Sequence, residues 1–251
     1  MTERNLTFPS ATGRPMKAFL AEPDDLVAPA PAVIVISELF GLNDDIRRIA
    51  RRFTESGYVA FAPDLHDSGG PRLYCIAKTM RALHTGSGAA FDDLEAARSW
   101  LSARDEVDAE RVGIAGFCMG GGFALLYAGR KSAQSPLRAA AAFYGIVPRE
   151  QADLEDACPI LAGYGALDTQ LARMPDRLRG HLENLEIPHD VQVYDDAGHS
   201  YMNRHGGILG KISGIWPMNR MHVGYNEAAA EDSWRRLIEF FDTHIANAAL
   251  T

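Results

Sequence analysis

Cysteine is scarce in this chain: three in 251 residues, an odd number that does not make a disulfide framework. Positive charge is also in short supply. The 25 Lys and Arg residues against 33 Asp and Glu leave a formal net charge of −8, which argues against a nucleic-acid partner, since that would need a basic face. No long hydrophobic run is present. The longest apolar stretch, residues 28–36, contains Pro29 and Pro31 and is far too short to span a bilayer, so no membrane partner is expected. Residues 1–5 contain no basic segment leading into an apolar run, so no secretory signal is expected and a reducing cytoplasm is the expected location. No Gly-x-Gly-x-x-Gly follows a strand pattern and no Walker lysine occurs, which weakens any nucleotide-binding reading. Internal repeats, low-complexity tracts and linkers are missing too, so residues 1–251 are expected to form a single domain.

What is present is an alternation of short apolar runs and amphipathic segments. Residues 32–36 are β-branched and apolar on both faces, as a strand covered by helices must be. Asn43 then offers an N-cap, and Ile46, Ile49, Ala50 and Phe53 recur at helical spacing up to Gly57. Further strands are expected at 58–62, 111–116, 139–144, 160–165 and 191–194. Helices are expected at 91–101, 119–130, between 171 and 185, and after Asn226. Strands alternating with helices imply an α/β fold whose mostly parallel central sheet carries helices on both faces. Residues 1–30 place turn signals between extended pieces, which implies an N-terminal antiparallel edge. Residues 203–225 combine many glycines with large apolar side chains, and such a long loop reads as a lid or pocket loop, with Trp216 facing the pocket.

The sharpest signal is Gly116-Phe117-Cys118-Met119-Gly120, a Gly-x-nucleophile-x-Gly sequence between an expected strand and an expected helix. A nucleophile at the apex of such a turn sits in a strained backbone with no room for side chains two residues away. Gly116 and Gly120 remove those side chains, while Gly121 and Gly122 allow close packing of helix on sheet. The helix N-terminus points free N–H groups toward residue 118, which suits negative charge there. Taken alone, the pentapeptide is also compatible with a buried Cys in a Gly-rich turn of a nucleotide-binding fold. The partners strengthen the catalytic reading. Asp168 follows the strand at 160–165 and His199 follows the last strand, so nucleophile, acid and histidine appear in the order that elbow hydrolases use. Both lie just beyond carboxyl ends of parallel strands, where α/β sheets build their sites. His199 can take or give the thiol proton, and Asp168 can hold the imidazole in the right tautomer.

Glu38 follows the strand at 32–36 in Ser37-Glu38-Leu39-Phe40-Gly41. A carboxylate there can accept the thiol hydrogen bond until substrate displaces it; the alternative is a surface glutamate beside a helix start. The backbone N–H groups of Leu39 and Met119 are the expected oxyanion hole.

At these positions the chain resembles the dienelactone hydrolase family of α/β hydrolases. The matching pieces are Glu38-Leu39-Phe40-Gly41, Pro63-Asp64-Leu65, Asp93-Leu94-Glu95-Ala96-Ala97, Gly116 to Gly121, Gly165 to Asp168 and Ala197-Gly198-His199-Ser200. The resemblance implies an α/β-hydrolase fold, a Cys118-Asp168-His199 triad with Glu38 near the thiol, and hydrolysis of an enol lactone such as dienelactone. No cofactor or metal is implied. It also implies arginines that hold the substrate carboxylate, one of them shortly after the catalytic histidine. Asn203 stands where that arginine is expected, with Arg204 one position on. Arg81, with Arg72 and Lys78, is a candidate for a second cationic contact. The expected carboxylate site is therefore weakened.

Other residues carry less. Cys75 and Cys158 are expected to pack rather than react. His66 and Asp67 lie at a strand end near the site and can line it or be solvated. His205 and His222 flank the apolar loop without Cys or carboxylate at ligand spacing, so no metal is expected. Ser37 has no elbow around it. The expected partner is a small ester or lactone, with the oligomeric state open. A general carboxylesterase or thioesterase, a non-catalytic ligand-binding protein and a redox-sensing thiol at Cys118 are the alternatives.

Overall fold

The computed structural model describes residues 1–67, 69–130, 137–204 and 220–247. In chain order the elements are β1 (Thr2–Pro9), β2 (Pro15–Glu22), β3 (Ala30–Ile36), α1 (Asp44–Glu55), β4 (Val59–Pro63), α2 (Arg72–Thr85) and α3 (Ala89–Ser102). There follow β5 (Val107–Phe117), α4 (Met119–Ala128), β6 (Ala139–Phe143), β7 (Ile160–Gly165), α5 (Met174–Asn184), β8 (His189–Tyr194) and α6 (Glu227–Phe241). The described strands form one sheet in the order β1-β2-β4-β3-β5-β6-β7-β8. β1 and β2 are a hairpin, paired from Thr2 opposite Glu22 to Pro9 opposite Pro15, and β2 runs antiparallel to β4. Every later pair is parallel. The N-terminal antiparallel edge and the parallel centre are thus those the sequence pattern implies.

Local chemistry sets the element ends. The Asn43 side chain accepts the Ile46 N–H at 3.0 Å and starts α1, whose buried residues include Ile46, Ile49, Ala50 and Phe53. Asn226 does the same for α6 through the Ala229 N–H at 3.1 Å. On one face of the sheet Phe53 packs edge-on against Trp234, with centroids 5.0 Å apart, and stacks on Phe241. On the other face Phe61 stacks on Trp100 at 4.9 Å, and Phe91 packs on Phe123 at 4.8 Å. These aromatic layers anchor the helices to both sides of the sheet.

α2 has no counterpart in the periodicity reading. Its buried face is Cys75, Thr79, Ala82 and Leu83, mostly small or polar, while Leu73 and Tyr74 are exposed. Its N-cap is Pro71, which has no side-chain acceptor, so the usual start signal is also missing. Cys75 packs as expected, donating its thiol to the Gly70 carbonyl at 3.4 Å. Among the described residues no helix is long and apolar enough to cross a membrane.

Candidate active site

The turn between β5 and α4 has the geometry its glycines require. Cys118 sits at φ 54°, ψ −115°, a conformation costly for a residue with a side chain. A Cβ on Gly116 would lie 1.9 Å from the Gly120 carbonyl oxygen, and one on Gly120 would lie 2.4 Å from the Ile36 oxygen. The turn is therefore wedged against the end of β3. The Cys118 N–H donates to the Phe143 carbonyl at 2.9 Å, and the Cys118 carbonyl accepts from Gly121 at 3.0 Å. The first N–H groups of α4, Met119 among them, have no intrahelical acceptor, as in any helix.

His199 and Asp168 meet at this end of the sheet. His199 Nδ1 and Asp168 Oδ2 are 2.7 Å apart, with both side chains buried. The remaining Asp168 oxygen, Oδ1, accepts the Gln170 N–H at 3.1 Å, which fixes the carboxylate. Burial works against charge on the imidazole and is the largest single influence, yet Cys118 and the Asp168 hydrogen bond outweigh it and hold the His199 pKa up to about 10. Nε2 of His199 is buried and completes no hydrogen bond of normal geometry. No hydrogen bond of normal geometry joins this nitrogen to the Cys118 sulfur, although the sulfur acts on the charge of the ring. The loop carrying His199 is braced by the far end of the long loop: the His199 N–H donates to the Met221 carbonyl at 2.7 Å, and the Gly224 N–H to the His199 carbonyl at 3.2 Å.

Glu38 is 2 % exposed, so the surface alternative does not hold; the Ser200 hydroxyl donates to its Oε1. Residues 38–41 form a turn closed by the Gly41 N–H on the Glu38 carbonyl at 3.0 Å, with Gly41 at φ 67°. Leu39 therefore lies in this tight loop, which follows the end of β3 against which Gly120 packs.

The residues expected to contact substrate separate. Asn203 is 1 % exposed and occupied at both ends: its Oδ1 accepts the Tyr144 hydroxyl, and its Nδ2 donates to Asp45 Oδ2 at 2.7 Å. Asp45 is also bonded by Arg48 Nε at 2.8 Å, and Arg48 reaches the Met202 carbonyl at 3.0 Å. Arg204 lies at the surface, stacked over Tyr225 at 4.6 Å and bonded to its hydroxyl. Arg81 and Lys78 are exposed on α2, and Arg72 donates to the Phe40 carbonyl. Trp216 and His205 lie outside the described residues, as does most of the loop at 203–225. His222 adopts φ 47°, with its carbonyl pressed against Gly198. Among the described residues no group of three or more His, Cys, Asp or Glu is placed to hold a metal ion.

The family model for dienelactone hydrolases matches residues 16–245. The chain belongs to the dienelactone hydrolase family. Its class is accordingly carboxylic ester hydrolase. A Salmonella typhimurium protein assigned as a carboxymethylenebutenolidase is 32% identical over 245 residues, covering 91% of this chain and 83% of that protein. A Klebsiella pneumoniae structure assigned as a dienelactone hydrolase is 28% identical, with a TM-score of 0.77 over 96% of this chain and 98% of that one. A dienelactone hydrolase-like promiscuous phosphotriesterase from metagenomic libraries is 26% identical, with a TM-score of 0.79 over 97% and 98% of the two chains.

For this dienelactone hydrolase family member, sequence reasoning missed Tyr144 and the role of Ser200. The Tyr144 ring lies 5.1 Å from the His199 ring, centroid to centroid. Burial, then the Glu38 charge, hold its phenol well above the ordinary value. Five non-glycine residues among those described have positive φ; four of them, Cys118, Tyr144, Ser200 and His222, cluster at this site. At Tyr144 and Ser200 neither the residue type nor a flanking motif favours positive φ, so these two are not legible in the sequence.

Proposed function

We propose that the chain hydrolyses a lactone or activated ester through a thioester on Cys118. The observation that carries this reading is the buried 2.7 Å Asp168–His199 bond beside a cysteine at the apex of the strand-to-helix turn. The Cys118 thiol gives its proton to His199 as its sulfur attacks the carbonyl carbon, and the carbonyl oxygen becomes an oxyanion facing the N–H groups of Leu39 and Met119. Collapse re-forms the C=O and breaks the bond to the leaving oxygen, which takes the proton held by His199. In a lactone the leaving oxygen stays tethered to the acyl group; an enol then tautomerises to the oxo form. Water next attacks the thioester while His199 accepts its proton. The second collapse breaks the C–S bond, releases the acid and returns the proton to sulfur. Asp168 keeps the imidazole oriented and favours its charged form throughout. Glu38 serves as the acceptor that governs the thiol until substrate arrives.

A neutral ester or lactone is favoured over a carboxylate-bearing one. Asn203 is engaged by Tyr144 and Asp45, and Arg204 lies on Tyr225, so neither is set to pair with a substrate carboxylate. p-Nitrophenyl acetate hydrolysis should be lost on iodoacetamide treatment and in Cys118→Ala, with an acetyl adduct on Cys118 seen by mass spectrometry in the wild type. Turnover that survives both treatments would overturn the mechanism.

A further inference from the structure

The segment after β4 grips the Glu38–Gly41 turn with three polar side chains. Arg72 donates to the Phe40 carbonyl. Asp64 Oδ1 lies 3.0 Å and His66 Cδ2 3.4 Å from the point where a Gly41 Cβ would sit. Asp64 Oδ1 also accepts the His66 backbone N–H at 3.1 Å, which ties the segment to itself. His66 is 5 % exposed, and both ring nitrogens are closed to solvent with no hydrogen bond of normal geometry. A buried imidazole left in this condition is unfavourable unless it finds an acceptor. The polar groups that favour its charged form are the Asp64 carboxylate and, as a hydrogen-bond acceptor, the backbone of Glu38. Burial lowers the ring's pKa, and Asp64 and that backbone only partly offset it, so the ring is neutral and has one N–H to donate.

The Glu38 carbonyl and the Leu39 N–H belong to one planar trans peptide and point in opposite directions. The Gly41 N–H takes one lone pair of that carbonyl at 3.0 Å. We propose that His66 is a positioning residue for ester hydrolysis: its ring N–H takes the second lone pair and thereby aims the Leu39 N–H at the oxyanion. Charge gathering at the Leu39 N–H polarises the shared peptide and makes the Glu38 carbonyl a stronger acceptor, so the His66 bond tightens as the tetrahedral intermediate forms. The ring nitrogens are closed off, so His66 does not touch substrate; it acts through the peptide. The inference rests on the reading of Leu39 as an oxyanion donor to a Cys118 adduct.

The test compares His66→Phe, His66→Asn and His66→Gln with wild type on p-nitrophenyl acetate. Removing a whole oxyanion donor costs on the order of a hundredfold or more in kcat, so loss of its alignment should lower kcat about tenfold in His66→Phe, with KM within about twofold. Asn places an amide N–H near the Nδ1 position and Gln near Nε2, so one of the two should recover most of kcat. The iodoacetamide labelling rate of Cys118 should stay unchanged in all three. A folded His66→Phe protein with wild-type kcat, or a change confined to KM, overturns the proposal. Should His66→Phe fail to fold, Asn and Gln decide: recovery in only one supports the proposal, and equal kcat in both overturns it. Cys118→Ala run alongside separates the two readings. Turnover in Cys118→Ala removes the thioester mechanism itself, whereas an inactive Cys118→Ala with fully active His66 variants removes only the role given to His66.

Discussion

Replacing Cys118 with Ala should change the titration of His199. Burial is the largest influence on this imidazole and opposes its charge; Cys118 is the next, and with the Asp168 hydrogen bond it carries the pKa from an ordinary 6.5 up to about 10. At 1.36 kcal/mol per pH unit, that gap bounds the preference for the charged ring at about 5 kcal/mol. Because the folded-state value is raised, the stability it contributes is fully present below about pH 6.5 and is lost as pH rises through about 10. Removing the sulfur leaves Asp168 alone against burial. A neighbouring charge of this kind typically moves a pKa by about one to three units, so the His199 midpoint should fall by that amount in Cys118→Ala. Carbon-13 histidine NMR across the pH range reads the midpoint directly, with His199→Gln supplying the assignment. Urea unfolding below pH 6.5 and near pH 10 gives a second measure: the loss of stability over this interval should be smaller in Cys118→Ala. An unchanged midpoint in that variant would mean the thiol exerts no influence on the ring, and the pairing of nucleophile and base would have to be abandoned.

The elbow should be intolerant of volume: Gly120→Ala puts a Cβ 2.4 Å from the Ile36 oxygen, and a melting temperature within a few degrees of wild type would contradict this packing. Asn203→Leu removes the partner of the Tyr144 hydroxyl and one of the two side chains that bond Asp45, which keeps Arg48. The expected cost is about 1–3 kcal/mol in chemical denaturation, with a smaller proportional effect on neutral-ester KM. Arg204→Ala and Arg81→Ala should leave the ratio of kcat/KM for an acid-bearing lactone and its methyl ester unchanged, because both side chains lie at the surface. A strong preference for the free acid that collapses in either variant would show that a substrate carboxylate is held after all.

Much of the fold was legible because its signals are local. Asn43 and Asn226 cap helices through their own backbone neighbourhoods, and residues 32–36 are apolar on both faces because β3 is covered on both faces. The elbow is legible for the same reason: Gly116 and Gly120 are demanded by contacts that their own turn creates with the strand ends beside it. Chain order then placed Asp168 and His199 at strand ends, and the sheet brought them to 2.7 Å. Three things needed the tertiary structure. α2 hides its buried face behind small and polar residues, so no periodicity announces it. The engagement of Asn203 depends on Tyr144 and Asp45, the latter 158 positions away, and no local pattern encodes such a pairing. His66 reads as an ordinary strand-end histidine until β4 is laid beside β3, because only that pairing sets its ring against the Glu38–Gly41 turn. Periodicity and capping are properties of neighbouring residues, whereas the polar surroundings of a buried side chain belong to whichever strands the sheet places next to it.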